Sequence, residues 1–164
     1  MLLNKEPHIK TISGLRLLGK KITMSFANDQ TVQLWKSFGP QINEIKNRAG
    51  QELYAVDIYN DPGFFANFNP QKEFEKWATV EVSDFNDVPD GMDTLLIPAG
   101  RYAVFHYKGK PSEAGPVFQF IFGEWLPHSK YEMDNRPYFA RMGEKYKGED
   151  PESEEEFWVP VREK

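Results

Sequence analysis

The chain has 164 residues, 40% hydrophobic and 27% charged, which suits one soluble domain with a substantial core. A net charge of −5, with Lys and Arg scattered, argues against nucleic acid as a partner, because phosphate contacts need clustered cations. The lack of Cys excludes disulfides and thiolate chemistry, and no stretch approaches the roughly 18 apolar residues of a membrane span. The N-terminus, MLLNKEPHIK, has no apolar run of signal-peptide length, so the expectation is a cytoplasmic protein with no membrane partner. Aromatic residues reach 15%, enough to fill a core and also to line a site for a flat or cationic ligand.

Residues 8–26, HIKTISGLRLLGKKITMSF, read as one long or two short strands broken at Gly14 and Gly19, followed by a turn at ANDQ. From 31 to 50, Val32, Trp35, Phe38, Ile42, Ile45 and Ala49 recur every three or four residues, which predicts an amphipathic helix. Gly39-Pro40 predicts a kink or break in it, and Gly50 a C-cap. ELYAVDIYN alternates, with Tyr54, Val56 and Ile58 on one face, and KWATVEVSDF alternates again, Ala78, Val80 and Val82 opposing Trp77, Thr79 and Glu81. Between them DPGFFANFNPQKEF has the turn chemistry of a loop, and its Phe residues predict that it folds down onto the core.

After a turn at NDVPDG, residues 94–109 form a strand pair or one bent strand, interrupted by Pro98 and Gly100. Ser112 is placed to cap a helix over EAGPVFQFIFGEWL, with Pro116 in its first turn and Phe118, Ile121 and Trp125 on one face. RPYFARM and EEFWVPV close the chain as a hairpin. Each half thus reads strand, helix, strand, strand, over repeat units of about 7–84 and 92–163. The predicted class is α+β, two antiparallel sheets with one helix each.

No motif argues for a cofactor or a metal. His8, His106 and His128 lie far apart without ligand spacing, and His106 alternates with Val104 and Tyr102 as a structural histidine would. The acidic run EDPESEEE lacks the carboxylate spacing of a calcium loop and reads as a solvated hairpin loop. There is no nucleophile elbow and no phosphate-binding glycine loop. What stands out is a set of aromatic and acidic residues: Trp35, Tyr54, Trp77, Phe118, Trp125 and Trp158, with Glu81 and Glu132. Core packing accounts for any one of them, whereas buried indoles and phenols in such number need polar partners and point to a semi-open cavity.

Three stretches carry a resemblance: GMDTLLIPAGRYAVFHYKGKP, IFGEWLPHSKYEMDNRP and GEKYKGEDPESEEEFWVPV. With LWKSF and VEVSDF they resemble the GyrI-like small-molecule-binding family, the effector-binding domain of AraC-type and MerR-type multidrug-sensing regulators. The match spans nearly the whole chain, so the expectation is a stand-alone domain without a DNA-binding domain. The resemblance implies two pseudo-symmetric β-α-β-β units with a ligand cleft between them, where relatives hold bulky lipophilic cations with stacked aromatics and a buried carboxylate. It assigns ligand-binding roles to Trp35, Tyr54, Phe118, Trp125 and Trp158.

One strand departs from the family pattern. Relatives read R-P-x-F-E-x-Y-G there, and this chain reads Arg136-Pro137-Tyr138-Phe139-Ala140-Arg141-Met142-Gly143. Ala140 and Met142 therefore line the implied cleft in place of its carboxylate and phenol. Losing a buried partner for a charge costs about 3–5 kcal/mol, of which cation–π contacts recover only part. Glu81 or Glu132 is the candidate replacement acid. The leading functional reading is a stand-alone binding protein for lipophilic aromatic small molecules, cationic or not. Two others stand beside it: a hydrolase of reactive natural products using a cleft acid, and an inhibitory protein partner of DNA gyrase or of a regulator.

Overall fold

A computed structural model describes residues 1–61, 63–65 and 67–164; Pro62 and Ala66 of the Phe-rich loop lie outside the described residues. The elements in chain order are β1 (His8–Ile12), β2 (Leu15–Met24), α1 (Thr31–Phe38), β3 (Arg48–Ile58), β4 (Phe74–Val82) and β5 (Asp93–Ile97). There follow β6 (Gly100–Lys108), α2 (Gly115–Phe120), β7 (Tyr131–Met133), β8 (Tyr138–Met142) and β9 (Glu154–Glu163). They divide into two compact units, residues 14–98 and residues 1–13 with 99–164.

Both units are antiparallel sheets with a helix, and their strand orders correspond: β5-β2-β4-β3 in one and β1-β6-β9-β8 in the other. The α+β class and the doubled β-α-β-β pattern are therefore as the periodicity indicates. Each unit also carries one further strand drawn from the wrong side of the sequence. β1 precedes β2 but pairs with β6, His8 opposite Val104 and Ile12 opposite Gly100. β5 precedes β6 but pairs with β2, Leu15 opposite Ile97. Residues 8–12 thus go with the second half of the chain, whereas the repeat read from sequence places them with the first.

In the 14–98 unit, α1 is shorter than its apolar spacing predicts. Pro40 has no N–H to donate, and the chain tightens from Gly39 to Glu44 into a 3-10 turn. The residues that α1 and this turn bury are Leu34, Phe38 and Ile45, packed on Leu18, Ala78, Val80, Val82 and Met92. Val32, expected on that face, is 62% exposed. Gly50 is not a helix cap. It has φ +107° within β3, where the register with β4 shifts between Arg48 and Leu53, so it serves a bulge. The Phe-rich loop folds down as expected through Phe64, which is buried with Met24 and Phe74, but Phe68 stays half exposed beside Phe26.

In the other unit, Pro116 sits in the first turn of α2, which then widens into one π turn over Ile121–Trp125 before ending at His128. Ser112 does not cap this helix. Its hydroxyl and backbone N–H both donate to the Glu149 carboxylate, at 2.6 and 2.9 Å, tying the β8–β9 loop to the helix approach. The β8–β9 hairpin forms as predicted, and β7, a short strand on the other part of β9, was not read from the sequence. The acidic run is only partly a loop: Ser153 is fully buried, and Glu154–Glu156 already belong to β9.

Candidate ligand-binding site

Strand register assigns each candidate residue to a face. In the 99–164 unit, Ala140 lies opposite Phe157, and Phe157 opposite Phe105, so these side chains share one face. That face is covered by α2. The Phe118 ring lies 4.8 Å from Phe157 and 6.1 Å from Tyr138, and Tyr107 stacks on Phe157 at 5.4 Å. Met142 alternates with Ala140 onto the same side, and both are buried. Phe118, Ala140 and Met142 are thus brought together around Phe157, which the sequence reading had not singled out.

Trp158 is not with them. It stacks on Phe139 at 5.2 Å and meets Tyr102 at 5.8 Å on the opposite face, with the Lys10 ammonium 5.6 Å from its ring. Its indole N–H donates to Glu156 at 3.1 Å, which accounts for the E-x-W spacing. Glu156 also meets Arg141 at 3.3 Å and His106 at 2.8 Å. Burial pushes this carboxyl up, but the Trp158 N–H, His106 and Arg141 together outweigh it and hold the group below its ordinary range. On the same face Tyr102 lies under the Arg136 guanidinium at 4.7 Å, and burial raises its phenol to about 12.

Trp125 lies further along the helix, edge-on to Phe105 and stacked on Tyr131, at the rim of an open hollow of about 600 Å³. Phe120, His128 and Ile9 line that hollow too; Phe118 and Ala140 do not. In the 14–98 unit, Tyr54 pairs with Thr79, which puts it on one face of β3–β4 with Glu81. Trp35 packs on the other face, against the Leu18–Val80 core under α1. Those two aromatics do not share a surface of that sheet.

The proposed substitute acid Glu132 is half exposed and paired with Arg162 at 3.1 Å, so it is spent at the surface. A different acid is buried. Glu155, which the sequence places both in the acidic run and at the start of the strand EEFWVPV, is only 9% exposed and pairs with Tyr107 across β6–β9. Two residues before Phe157, it falls on the same face as Phe157, Ala140 and Met142. The signal in the sequence was the alternation of EEEFWVPV, which a strand beginning at Glu154 carries back into the acidic run. Burial raises the phenols of Tyr107 and Tyr146, and the nearby Glu155 charge adds to the shift in both. Among the described residues no cluster of three or more metal-ligating side chains occurs, and no helix is long and apolar enough to cross a membrane.

With this arrangement in view, residues 5–161 match the profile of Cass2, the integron-associated effector binding proteins. The chain belongs to the Cass2 family. Among curated proteins, the transcriptional regulator BrlR of Pseudomonas aeruginosa is similar, 29% identical over 160 residues. This match covers 96% of the Cass2-family chain and 56% of BrlR, so the chain spans about half the length of that relative. Among solved structures, SAV2435 bound to tetraphenylphosphonium superposes with a TM-score of 0.72 at 16% identity, covering 96% of this chain and 94% of that one. The Vibrio cholerae integron cassette protein VCH_CASS2 gives 0.67 at 14% identity, covering 96% of each chain. At such identities the likeness to the solved structures shows the fold.

Proposed function

We propose that this Cass2-family protein binds a lipophilic aromatic small molecule, at the α2-covered face of its 99–164 unit. The observation that carries the reading is the group of rings, Phe118, Tyr138, Phe157 and Tyr107, arranged around the small Ala140. Offset and edge-on ring contacts of this kind contribute about 0.5–1.5 kcal/mol each beyond burial, and a ligand ring makes them as well as a side chain does. Ala140 and Met142 are buried, so binding requires the covering side chains to move. Met142 suits that, being unbranched and polarisable. The π turn directly after Phe120 gives α2 a second feature of the kind found at binding sites. The family's effector-binding description and the tetraphenylphosphonium held by SAV2435 support the same class of ligand.

The test is a fluorescence titration of the full chain with tetraphenylphosphonium and with an uncharged aromatic, triphenylphosphine oxide. A saturable change is expected with at least one of them, abolished in Ala140→Trp and weakened in Phe118→Ala, each with an unchanged far-ultraviolet dichroism spectrum. Silence of the folded wild type toward both, or full binding by Ala140→Trp, refutes the reading.

A further inference from the structure

We infer that the free edge of β1, with the hollow beside it, takes an extended segment of another protein as an added strand. That segment alternates acidic with apolar residues and carries one aromatic with a hydrogen-bond donor at its tip. Among the described residues β1 is the last strand of its sheet and pairs with β6 alone, so its outward N–H and C=O groups are left to a partner or to water. Recognition by strand addition draws affinity from such groups and specificity from pockets for alternate side chains. A pocket is in place. Ile9 lies opposite Ala103, two residues from Phe105, which puts it on the α2-covered side. There it lines the hollow of about 600 Å³ with Pro7, Phe120 and Trp125, and it is 39% exposed. An added strand sets a side chain roughly 4.5–5.5 Å from Ile9, over that hollow. Neither Phe118 nor Ala140 lines it, so this surface is apart from the ring group proposed to hold the small molecule.

Side chains at this edge state what the segment must carry. On the face away from α2, an added strand has His8 and Lys10 as its neighbours. Lys10 makes no ion pair among the described residues. Its ammonium rests 5.6 Å from the Trp158 ring, and its flexible stem lets it turn to an acid on the new strand. Opposite charges across a strand pair are favourable and like charges are not. A second copy is disfavoured on that ground, because antiparallel pairing of β1 with itself over its full length sets Lys10 against Lys10 of the other copy. On the α2 side the hollow combines apolar walls with acceptors. His128 Nδ1 lies 2.7 Å from the Glu124 carbonyl oxygen, which only accepts, so in the neutral ring Nδ1 carries the proton and Nε2 is left as an acceptor. Glu6 and Glu124 add carboxylates to the lining. Tyr or Trp suits such a space, its flat body against Ile9, Phe120 and Trp125 and its O–H or N–H toward those acceptors.

The probe is a fluorescein-labelled peptide alternating Glu and Val around one central Tyr, titrated by anisotropy into the full chain beside a second peptide with Lys in place of Glu. Saturable binding of the Glu peptide is expected, with the Lys peptide about tenfold weaker or more, and with slowed amide exchange at residues 8–12. Lys10→Glu should reverse the order of the two peptides. Trp125→Ala, checked for folding by urea unfolding, should weaken the Glu peptide about tenfold. Should that variant not fold, a peptide with Ala in place of Tyr makes the same test from the other side. No binding of the Glu peptide, equal binding of the two peptides, no effect of Lys10→Glu, or exchange protection that spares residues 8–12 overturns the inference. So does self-association of the wild type that protects the same strand with no peptide present, which would give the edge to a second copy.

Discussion

Replacing Glu156 with Gln isolates the ion-pair network on the face of the 99–164 sheet away from α2. In the wild type one carboxylate oxygen accepts from the Trp158 indole at 3.1 Å and from Arg141 at 3.3 Å, and the other meets His106 Nε2 at 2.8 Å. Gln offers one acceptor oxygen and one NH2. With its oxygen toward Trp158 and Arg141, its NH2 faces His106, which must then present a bare nitrogen. The Trp158 bond survives, and charge-assisted bonds worth about 1.5–3 kcal/mol become neutral ones worth about 0.5–1.5. The expected loss is about 1–2 kcal/mol, a fall in Tm of roughly 2–8 °C for a chain of this size. The pH dependence sets the sign. The carboxyl is held below its ordinary value, so the stability it contributes is fully present above about 4.3 and is lost as pH falls through the lowered folded value. Urea unfolding followed by Trp fluorescence should therefore show a gap between the proteins near neutrality that closes in acid. A gap that stays constant into acid, or no gap at all, would refute the reasoning.

Phe157→Ala removes the ring at the centre of the α2-covered face and should cost about 3–5 kcal/mol by calorimetry, because Phe118, Tyr107 and Tyr138 all lose a partner. Leu34→Ala should cost about 2–5 kcal/mol in denaturant unfolding while Val32→Ala stays within about 0.5, since the buried stripe of α1 runs through Leu34. Equal effects would mean the helix is turned the other way. Gly19→Ala should cost about 1–3 kcal/mol or more, because a Cβ there would stand 1.9 Å from the Ala78 carbonyl oxygen; a neutral result in thermal melts would contradict the close approach of β2 and β4.

Much of this was legible from residues alone. Alternation in ELYAVDIYN and KWATVEVSDF gave both strands and the correct faces, since a period of two survives any surroundings. Helix phase was less secure. Val32 and Leu34 both fit an apolar stripe, and only the packing of Phe38 and Ile45 on β2 and β4 decides between them. The early end of the helix and the bulge at Gly50 follow from competition between Pro40 and the start of β3, which a periodicity count does not weigh.

The sequence by itself determined the class of the protein: the doubled strand–helix–strand–strand order, the hairpin of β8 and β9, and the family. These depend on local period and on motif spacing. Tertiary structure decided which strands partner β2 and β6, and therefore which faces the aromatics share. It turned Trp158 to the side of its sheet away from Ala140, because neighbouring positions on a pleated strand point to opposite sides once register is set, and it packed the α1 residue Trp35 on the face of β3–β4 opposite Tyr54. It also decided which glutamate of three consecutive ones is buried. Glu154, Glu155 and Glu156 are chemically identical, and only the pairing of β9 with β6 and β8 turns the middle one inward.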